Sequence, residues 1–269
     1  MKKLAVILLA FCCQVTFAQE DTYLLFEFMK VDNEQELGYA ETENFWEKIH
    51  EQQAKNGDIV GWDLWQLQPG GEDQNFQYLT VHVFNDPVKM MQGGTWEDLL
   101  ANAKAAYPDL SEEKIMKKIQ HSSKTRDLAV RLYLKLIDGT DDEFDMPVGM
   151  VTRINFMKAN PGQYGAYEKA EAEVFKPGHQ RSVEAGTMGS WGLARVMVPY
   201  GSDVYASHLT FDMFASYKQM FTGGNDGPTL TEEQQKAMQD GLATRDLKWS
   251  SMGTLIKKVR ASDSGVTEN

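Results

Sequence analysis

The chain has 269 residues and carries 39 aspartates and glutamates against 27 lysines and arginines, a formal charge of −12. That balance argues against nucleic acid or an anionic membrane surface as a partner, since both reward basic patches. The length is enough to bury a core without staples.

The opening residues read "MKKLAVILLAFCCQVTFAQE". Two lysines lead, an apolar run from Leu4 to Cys13 follows, and Thr16-Phe17-Ala18 supplies small residues where a signal peptidase reads them. Residues 1–18 are therefore expected to be a signal peptide, with export to the periplasm or the medium after cleavage at Ala18. The run is too short for a stable membrane anchor, and Phe11 before Cys12 argues against lipidation. Cleavage would remove Lys2 and Lys3, taking the charge from −12 to −14. It would also remove both cysteines, so no disulfide, thiolate nucleophile or cysteine-bound metal is expected. No later stretch is apolar enough to span a membrane.

Residues 19–137 form the first expected unit. "TYLLFEFMKV" reads as a strand. A helix follows over about 36–55, ended by Asn56-Gly57. "IVGWDLWQL" and "FQYLTVHVF" are two strands joined by the turn cluster "QPGGEDQN". Residues 86–121 are helical in pieces, broken at Gly93-Gly94 and Pro108, and "LAVRLYLKLI" closes the unit. The acidic, aperiodic "DGTDDEFDMP" (138–147) is read as a linker. A second unit spans 148–259, and 260–269 is a frayed tail.

The second unit repeats the first. "FMK" at Phe28 recurs at Phe156, "YLTVHVF" at Tyr78 matches "HLTFDMF" at His208, and "TRDL" occurs at Thr125 and Thr244. "FWEKIHEQQAKNGDIVGW" and "VFKPGHQRSVEAGTMGSW" each place an aromatic residue four positions before a histidine and a tryptophan twelve positions after it. The order βαββαβ makes a four-stranded sheet with both helices on one face. Two such ferredoxin-like units, packed sheet to sheet, would close one pseudo-dimeric α+β barrel within a single chain.

The motif of an aromatic residue, three others and His on the first helix, then a Gly-aromatic strand, is carried by Trp46, His50, Gly61 and Trp62, and again by Phe175, His179 and Trp191. In this the chain resembles the dimeric α+β barrel superfamily, above all its EthD-like and antibiotic-biosynthesis-monooxygenase-like branches. The resemblance implies a small-molecule site. It also implies proton chemistry at the helix histidines, of the kind used in cofactor-free oxygenation, isomerisation, dehydration or decarboxylation of small, often aromatic, molecules. Pro177-Gly178 is expected to break the second helix just before His179, which makes the His50 copy the better site.

Strand alternation sorts the remaining side chains. Leu79, Val81 and Val83 match Leu209, Phe211 and Met213; being uniformly apolar, they are expected to face the helices, with Leu24, Phe26, Phe28, Ile154 and Phe156. The opposite parity is expected to line the barrel interior. It contains Tyr78, Thr80, His82 and Phe84, then His208, Thr210, Asp212 and Phe214, together with Glu27, Arg153, Asn155, Arg131, Tyr133 and Lys248. These polar groups either line a ligand cavity or pair among themselves, Glu27 with Arg153 for example.

The candidate catalytic residues are thus His50 and His179, and the candidate substrate-binding residues Trp46, Trp62, Tyr78, His82, Glu27, Arg153, His208, Asp212 and Trp191. A histidine four residues after an aromatic ring on a helix also has a packing role open to it, since those positions share a face. The alternative is proton exchange at its ordinary pKa of about 6.5. In "TRDL", Arg126 and Arg245 stand either in a strand-entry turn beside Asp127 and Asp246, or at a rim where a guanidinium receives a carboxylate or enolate.

No cofactor is required by any motif. His82, His208, Asp212 and Glu27 could ligate zinc or iron, without a compact metal spacing such as H-E-x-x-H, and some relatives of this barrel bind heme. Two further readings stay open: a non-catalytic module for an apolar ligand or heme, and a closed barrel whose surface meets a protein partner or another copy of the chain.

Overall fold

Along the first strand, Leu24, Phe26 and Phe28 alternate with Leu25, Glu27 and Met29, and in the folded chain both sets meet protein. A sheet buried on both sides is the signature of this architecture. The computed structural model describes residues 21–70, 75–223 and 229–261; the expected signal peptide and residues 262–269 of the tail lie outside the described residues. Strands β1 (Tyr23–Lys30), β2 (Gly61–Gln68), β3 (Tyr78–Phe84) and β4 (Asp127–Gly139) belong to the first half. Strands β5 (Val151–Ala159), β6 (Ser190–Val198), β7 (His208–Phe214) and β8 (Arg245–Arg260) belong to the second. They close an antiparallel barrel in the order β1-β3-β2-β8-β5-β7-β6-β4.

Each half has the same internal order, β4-β1-β3-β2 and β8-β5-β7-β6. The halves are stitched by their longest strands. β4 begins against β1 and ends against β6, while β8 begins against β5 and ends against β2.

Helix α1 (Glu36–Lys55) covers the first half and stops at Asn56, with Gly57 at φ +73°, the left-handed conformation glycine adopts freely at a helix end. Helices α2 (Pro87–Gln92), α3 (Trp96–Ala106) and α4 (Glu112–Ser122) follow β3, with Thr95 and Asp98 forming a capping box on α3. Phe45 and Ile49 of α1 meet Ala103 and Ile115 in a satellite core. In the second half α5 (Tyr164–Ala170) runs through a π-helical turn (Glu171–Phe175) into α6 (Lys176–Glu184), and α7 (Tyr217–Thr222) and α8 (Glu232–Leu242) precede β8.

The π turn corrects one expectation. Pro177-Gly178 does not break the helix before His179, because the π turn carries helical backbone through Phe175 directly into α6, where Pro177 stands in the first turn after the register change. Tyr167 and Glu171 stand 128 positions after Tyr39 and Glu43, but His179 stands 129 after His50. The wider turn absorbs the extra residue.

The expected strand parity is reversed. Leu24, Phe26, Phe28, Leu79, Val81 and Val83 join Ile154, Phe156, Leu209, Phe211 and Met213 in one cluster between the two sheets. Phe26 meets Phe211 at 5.7 Å between ring centroids and Phe28 meets Phe156 at 5.9 Å. The barrel interior is therefore apolar, and the polar parity faces the helices. Period-two patterning separates two faces but does not say which one a closed barrel turns inward, and an exchange of faces is the whole difference between the two readings. Lys248 points to solvent, its carbonyl accepting from the Tyr205 hydroxyl.

Candidate functional site

On α1, Tyr39, Glu43, Trp46 and His50 are spaced by four, three and four residues, so they form one stripe. That stripe lies over the outer face of the first sheet, where Tyr78, Thr80 and His82 of β3 stand beside Trp62 of β2 and Glu27 of β1. His50 is the centre of an aromatic stack. Its ring lies 4.7 Å from Trp62 and 5.9 Å from Trp46, and His82 meets it edge-on at 4.8 Å. Trp46 donates its indole N–H to Ser122 Oγ at 2.8 Å. Tyr78 packs against Tyr39, ring centroids 4.6 Å apart and planes tilted by 49°.

His50 Nδ1 lies 2.7 Å from Gln53 Oε1. With that oxygen accepting, the proton sits on Nδ1 and Nε2 keeps its lone pair. Burial holds the His50 pKa well below the ordinary imidazole value, and the neighbouring His82 adds to this. His82 is lowered as well, first by burial and then by the Arg131 and Arg126 guanidinium groups. Both imidazoles are neutral at pH 7.

Glu43 is 1 % exposed and its carboxyl is pushed up to about 7, because burial outweighs the lowering by Arg126 and Tyr39. Arg126 Nη1 stands 3.1 Å from Glu43 Oε1. Arg126 therefore leaves the strand-entry turn and reaches the helix, rather than pairing with Asp127 or marking the barrel rim. Tyr39, whose own pKa is raised well above normal by burial, completes the trio.

Satisfaction of polar atoms is uneven. Among the described residues nine buried side-chain polar atoms lack a hydrogen bond of good geometry, and six belong here: Tyr39 Oη, Glu43 Oε1, Trp62 Nε1, Thr80 Oγ1, His82 Nδ1 and Arg126 Nη1. A native fold normally pairs such groups, at a cost of about 1–3 kcal/mol for each left alone.

The second half repeats the plan with different endings. His179 lies on Trp191, ring centroids 5.0 Å apart and planes 7° apart. Asp212 takes the place of His82, with its pKa raised by burial and opposed by His179 and Arg153. It accepts from Asn155 Nδ2 at 3.3 Å and lies 3.6 Å from Arg153. Tyr167, Glu171 and Arg245 correspond to Tyr39, Glu43 and Arg126; burial raises Glu171, with Tyr167 and Arg245 opposing. Only Tyr167 Oη and Arg245 Nε are short of partners in this trio.

The sequence-predicted residues are thus gathered on the helix-facing layer in two clusters, not inside the barrel. Trp46, His50, Trp62, Tyr78, His82 and Glu27 lie in the first, and Arg153, His179, Trp191 and Asp212 in the second. Glu27 pairs with Arg131, not Arg153, at 2.9 Å from Nε. His208 is fully buried, its Nε2 2.9 Å from Glu168 Oε1 and its Nδ1 2.9 Å from Ser207 Oγ, and Arg195 clamps the same Glu168 at 2.6 and 2.7 Å. It is a core histidine with both nitrogens occupied. The four residues considered for a metal are accordingly dispersed, and among the described residues no three His, Cys, Asp or Glu converge. The sequence reading passed over Tyr39, Glu43, Tyr167 and Glu171. Their signal was present as tyrosine, three residues, glutamate on the first helix of each half.

No family profile matches the sequence, and no curated protein does. Solved structures match at the level of fold. An anthrone oxidase-like protein superposes with a TM-score of 0.54 at 11 % identity, over 92 % of this chain and 96 % of its own. A candidate monooxygenase from Lactobacillus acidophilus gives 0.53 at 8 % identity, over 90 % and 97 %. A chlorite dismutase variant from Candidatus Nitrospira defluvii gives 0.50 at 9 % identity, over 91 % and 94 %. At these identities the likeness is one of fold, an α+β barrel spanning nearly the whole of each chain.

Proposed function

We propose that this is an exported α+β barrel, built by tandem duplication of a ferredoxin-like unit, whose small-molecule site lies between α1 and the outer face of the first sheet. The observation that carries the reading is the convergence of three buried polar atoms without a hydrogen bond, Trp62 Nε1, Thr80 Oγ1 and His82 Nδ1, beside the buried Glu43–Arg126 ion pair on one side of one sheet. The partly exposed ring of Tyr78, with the Arg126 guanidinium and the Glu43 carboxyl nearby, suits a small aromatic molecule bearing a carbonyl or acidic hydroxyl.

The chemistry supported is acid–base. A carboxyl with a pKa of about 7 exchanges protons at neutral pH in both directions. The Glu43 carboxylate takes a proton from the carbon next to a carbonyl, Arg126 holds the resulting enolate oxygen, and the proton returns to a different atom of the substrate. The net result is isomerisation, with no electron acceptor consumed. The neutral imidazoles of His50 and His82 supply lone pairs rather than charge, with His50 Nε2 the basic atom. Dioxygen is a further co-reactant such an enolate could meet, a reading supported by proteins of like fold described as a candidate monooxygenase and an anthrone oxidase-like protein.

No constellation of the described residues marks a heme seat: both nitrogens of His208 are taken, and His50 Nδ1 is held by Gln53. No step is therefore routed through one.

Native mass spectrometry and absorption spectroscopy of the purified protein test the proposal. Retention or added binding of an aromatic carbonyl compound, lost in Glu43→Gln and His82→Ala, is the expected result. Binding that survives both substitutions would overturn it.

A further inference from the structure

The reversed parity leaves a second space, on the opposite side of the sheet from the histidines. Between the two sheets lies a cavity of about 550 Å³, with walls that include Leu24, Phe26, Leu79, Val81, Ile154 and Phe211. Protein interiors contain few voids larger than a water molecule, whereas ligand pockets run to about 300–1,000 Å³. An apolar space of this size between two sheets has the volume and lining of a ligand pocket.

Its mouth has a sign. Asp21, Asp63, Asp138, Asp141 and Asp142 line it with only Lys176 and Arg260 as cations. Asp63 is taken by Arg260 at 2.6 and 3.0 Å, Asp138 by Lys176 at 2.6 Å, and Asp21 by Lys135 at 2.7 Å. Among the described residues Asp141 and Asp142 have no ion pair, Asp142 accepting only from the Thr140 hydroxyl at 2.7 Å and the Phe144 N–H at 3.1 Å, so the rim keeps a surplus of negative charge.

The mouth also has a cover. The segment expected to be a mere linker sends Phe144 and Met146 onto the apolar core. Phe144 sits in a slot that exists because residue 189 is glycine; a Cβ there would fall 2.6 Å from the ring. Lys258 Nζ holds the Asp145 carbonyl at 2.6 Å.

We propose that the barrel interior is a second ligand site, taking a small apolar or aromatic molecule with a cationic end and admitting it beneath Phe144. The apolar body lies against Phe26 and Phe211, and the cation meets Asp141 and Asp142. This site does not depend on the chemistry assigned to Glu43 and His50, because the sheet separates the two.

Three naphthalenes of one shape test it by isothermal titration: protonated 2-(aminomethyl)naphthalene, neutral 2-methylnaphthalene and anionic 2-naphthoate. The cation is expected to bind at least ~3-fold tighter than the neutral compound, the range of one exposed charge pair, with naphthoate weakest. Asp141→Asn should narrow that preference, and His50→Ala should leave it unchanged. Val81→Phe fills the cavity and should abolish binding of all three. Should that variant not fold, Gly189→Ala is the second probe: it unseats Phe144 and should speed both association and release in stopped-flow fluorescence. Equal affinity for the three compounds, no binding of any, or loss of binding in His50→Ala would overturn the proposal.

Discussion

His179 and Trp191 lie ring on ring, 5.0 Å apart with their planes 7° from parallel, and His50 and Trp62 do the same at 4.7 Å and 28°. The pair is present in both halves although the helix beneath His179 has one more residue, and the π turn keeps that imidazole over its indole. What distinguishes the halves is the third group: His82 at one site, Asp212 at the other.

That difference gives the first prediction. His50→Ala and His179→Ala should each lower stability by roughly 1–3 kcal/mol, since each removes a ring from a stack, buried at His50 and half-buried at His179. Only His50→Ala should abolish binding of an aromatic carbonyl compound, followed by native mass spectrometry. Equal losses of binding would place a working site in both halves, and no loss in either would mark both rings as packing groups.

Glu43 predicts a pH dependence with a definite sign. Its folded pKa of about 7 lies above the unfolded value near 4.5, so between these values the native state holds a proton that the unfolded state has lost. Stability from this group is full below about pH 4.5 and falls as pH rises toward 7. Glu43→Gln, which mimics the protonated form, should therefore gain on the parent protein between pH 5 and pH 8 by ~2–3 kcal/mol. Urea titrations of both proteins across that range read the difference directly. A constant gap would mean that Glu43 titrates normally.

Arg126 is the partner that keeps the Glu43 carboxylate accessible at all. Arg126→Leu should push the Glu43 pKa further up and destabilise the protein at pH 8 by roughly 3 kcal/mol, the usual consequence of leaving a buried charge alone. The double variant Arg126→Leu with Glu43→Gln should recover most of that loss. A cycle that closes without coupling energy would separate the two residues.

His208 should behave differently from the other histidines. Its nitrogens are held by Glu168 and Ser207, and burial lowers its pKa while Glu168 works the other way. His208→Ala should cost about 2–4 kcal/mol, as breaking a buried network does, with ligand binding at the first site unchanged. A loss of binding out of proportion to stability would make it more than a core residue.

Export has a simple check. Expression in a bacterial host with the full sequence should yield a chain beginning at Gln19, read from its intact mass, in the periplasm or the medium. A chain retaining Met1 inside the cell would remove the signal-peptide reading.

Much of the architecture could be read because repetition is visible without knowing any structure. The blocks at Phe28, Tyr78 and Thr125 recur in order at Phe156, His208 and Thr244, and the folded halves have matching strand orders. The helix ended at Asn56-Gly57 because that pair ends helices wherever it occurs at an apolar stripe's limit. The inward face could not be read in the same way. Leu79 and His82 lie on opposite sides of β3, but both sides are covered, so hydrophobicity ranks the faces without orienting them. Glu43 was passed over for a related reason: a helix glutamate is nearly always solvated, and it takes Arg126, brought from 83 residues away, together with Tyr39 to make its burial tolerable.

The crossing of β4 and β8 between the halves has a kinetic meaning. Gly61 near the start of the first half pairs with Arg260, among the last described residues. As a ribosome or a translocon delivers the chain from its N-terminus, β2 waits with an unpaired edge until almost everything else has emerged. Such long loops are closed late and slowly, and an exposed strand edge in the meantime invites pairing with other chains. The barrel should therefore show its slowest folding step, and its greatest need of a holding chaperone, at the arrival of β8.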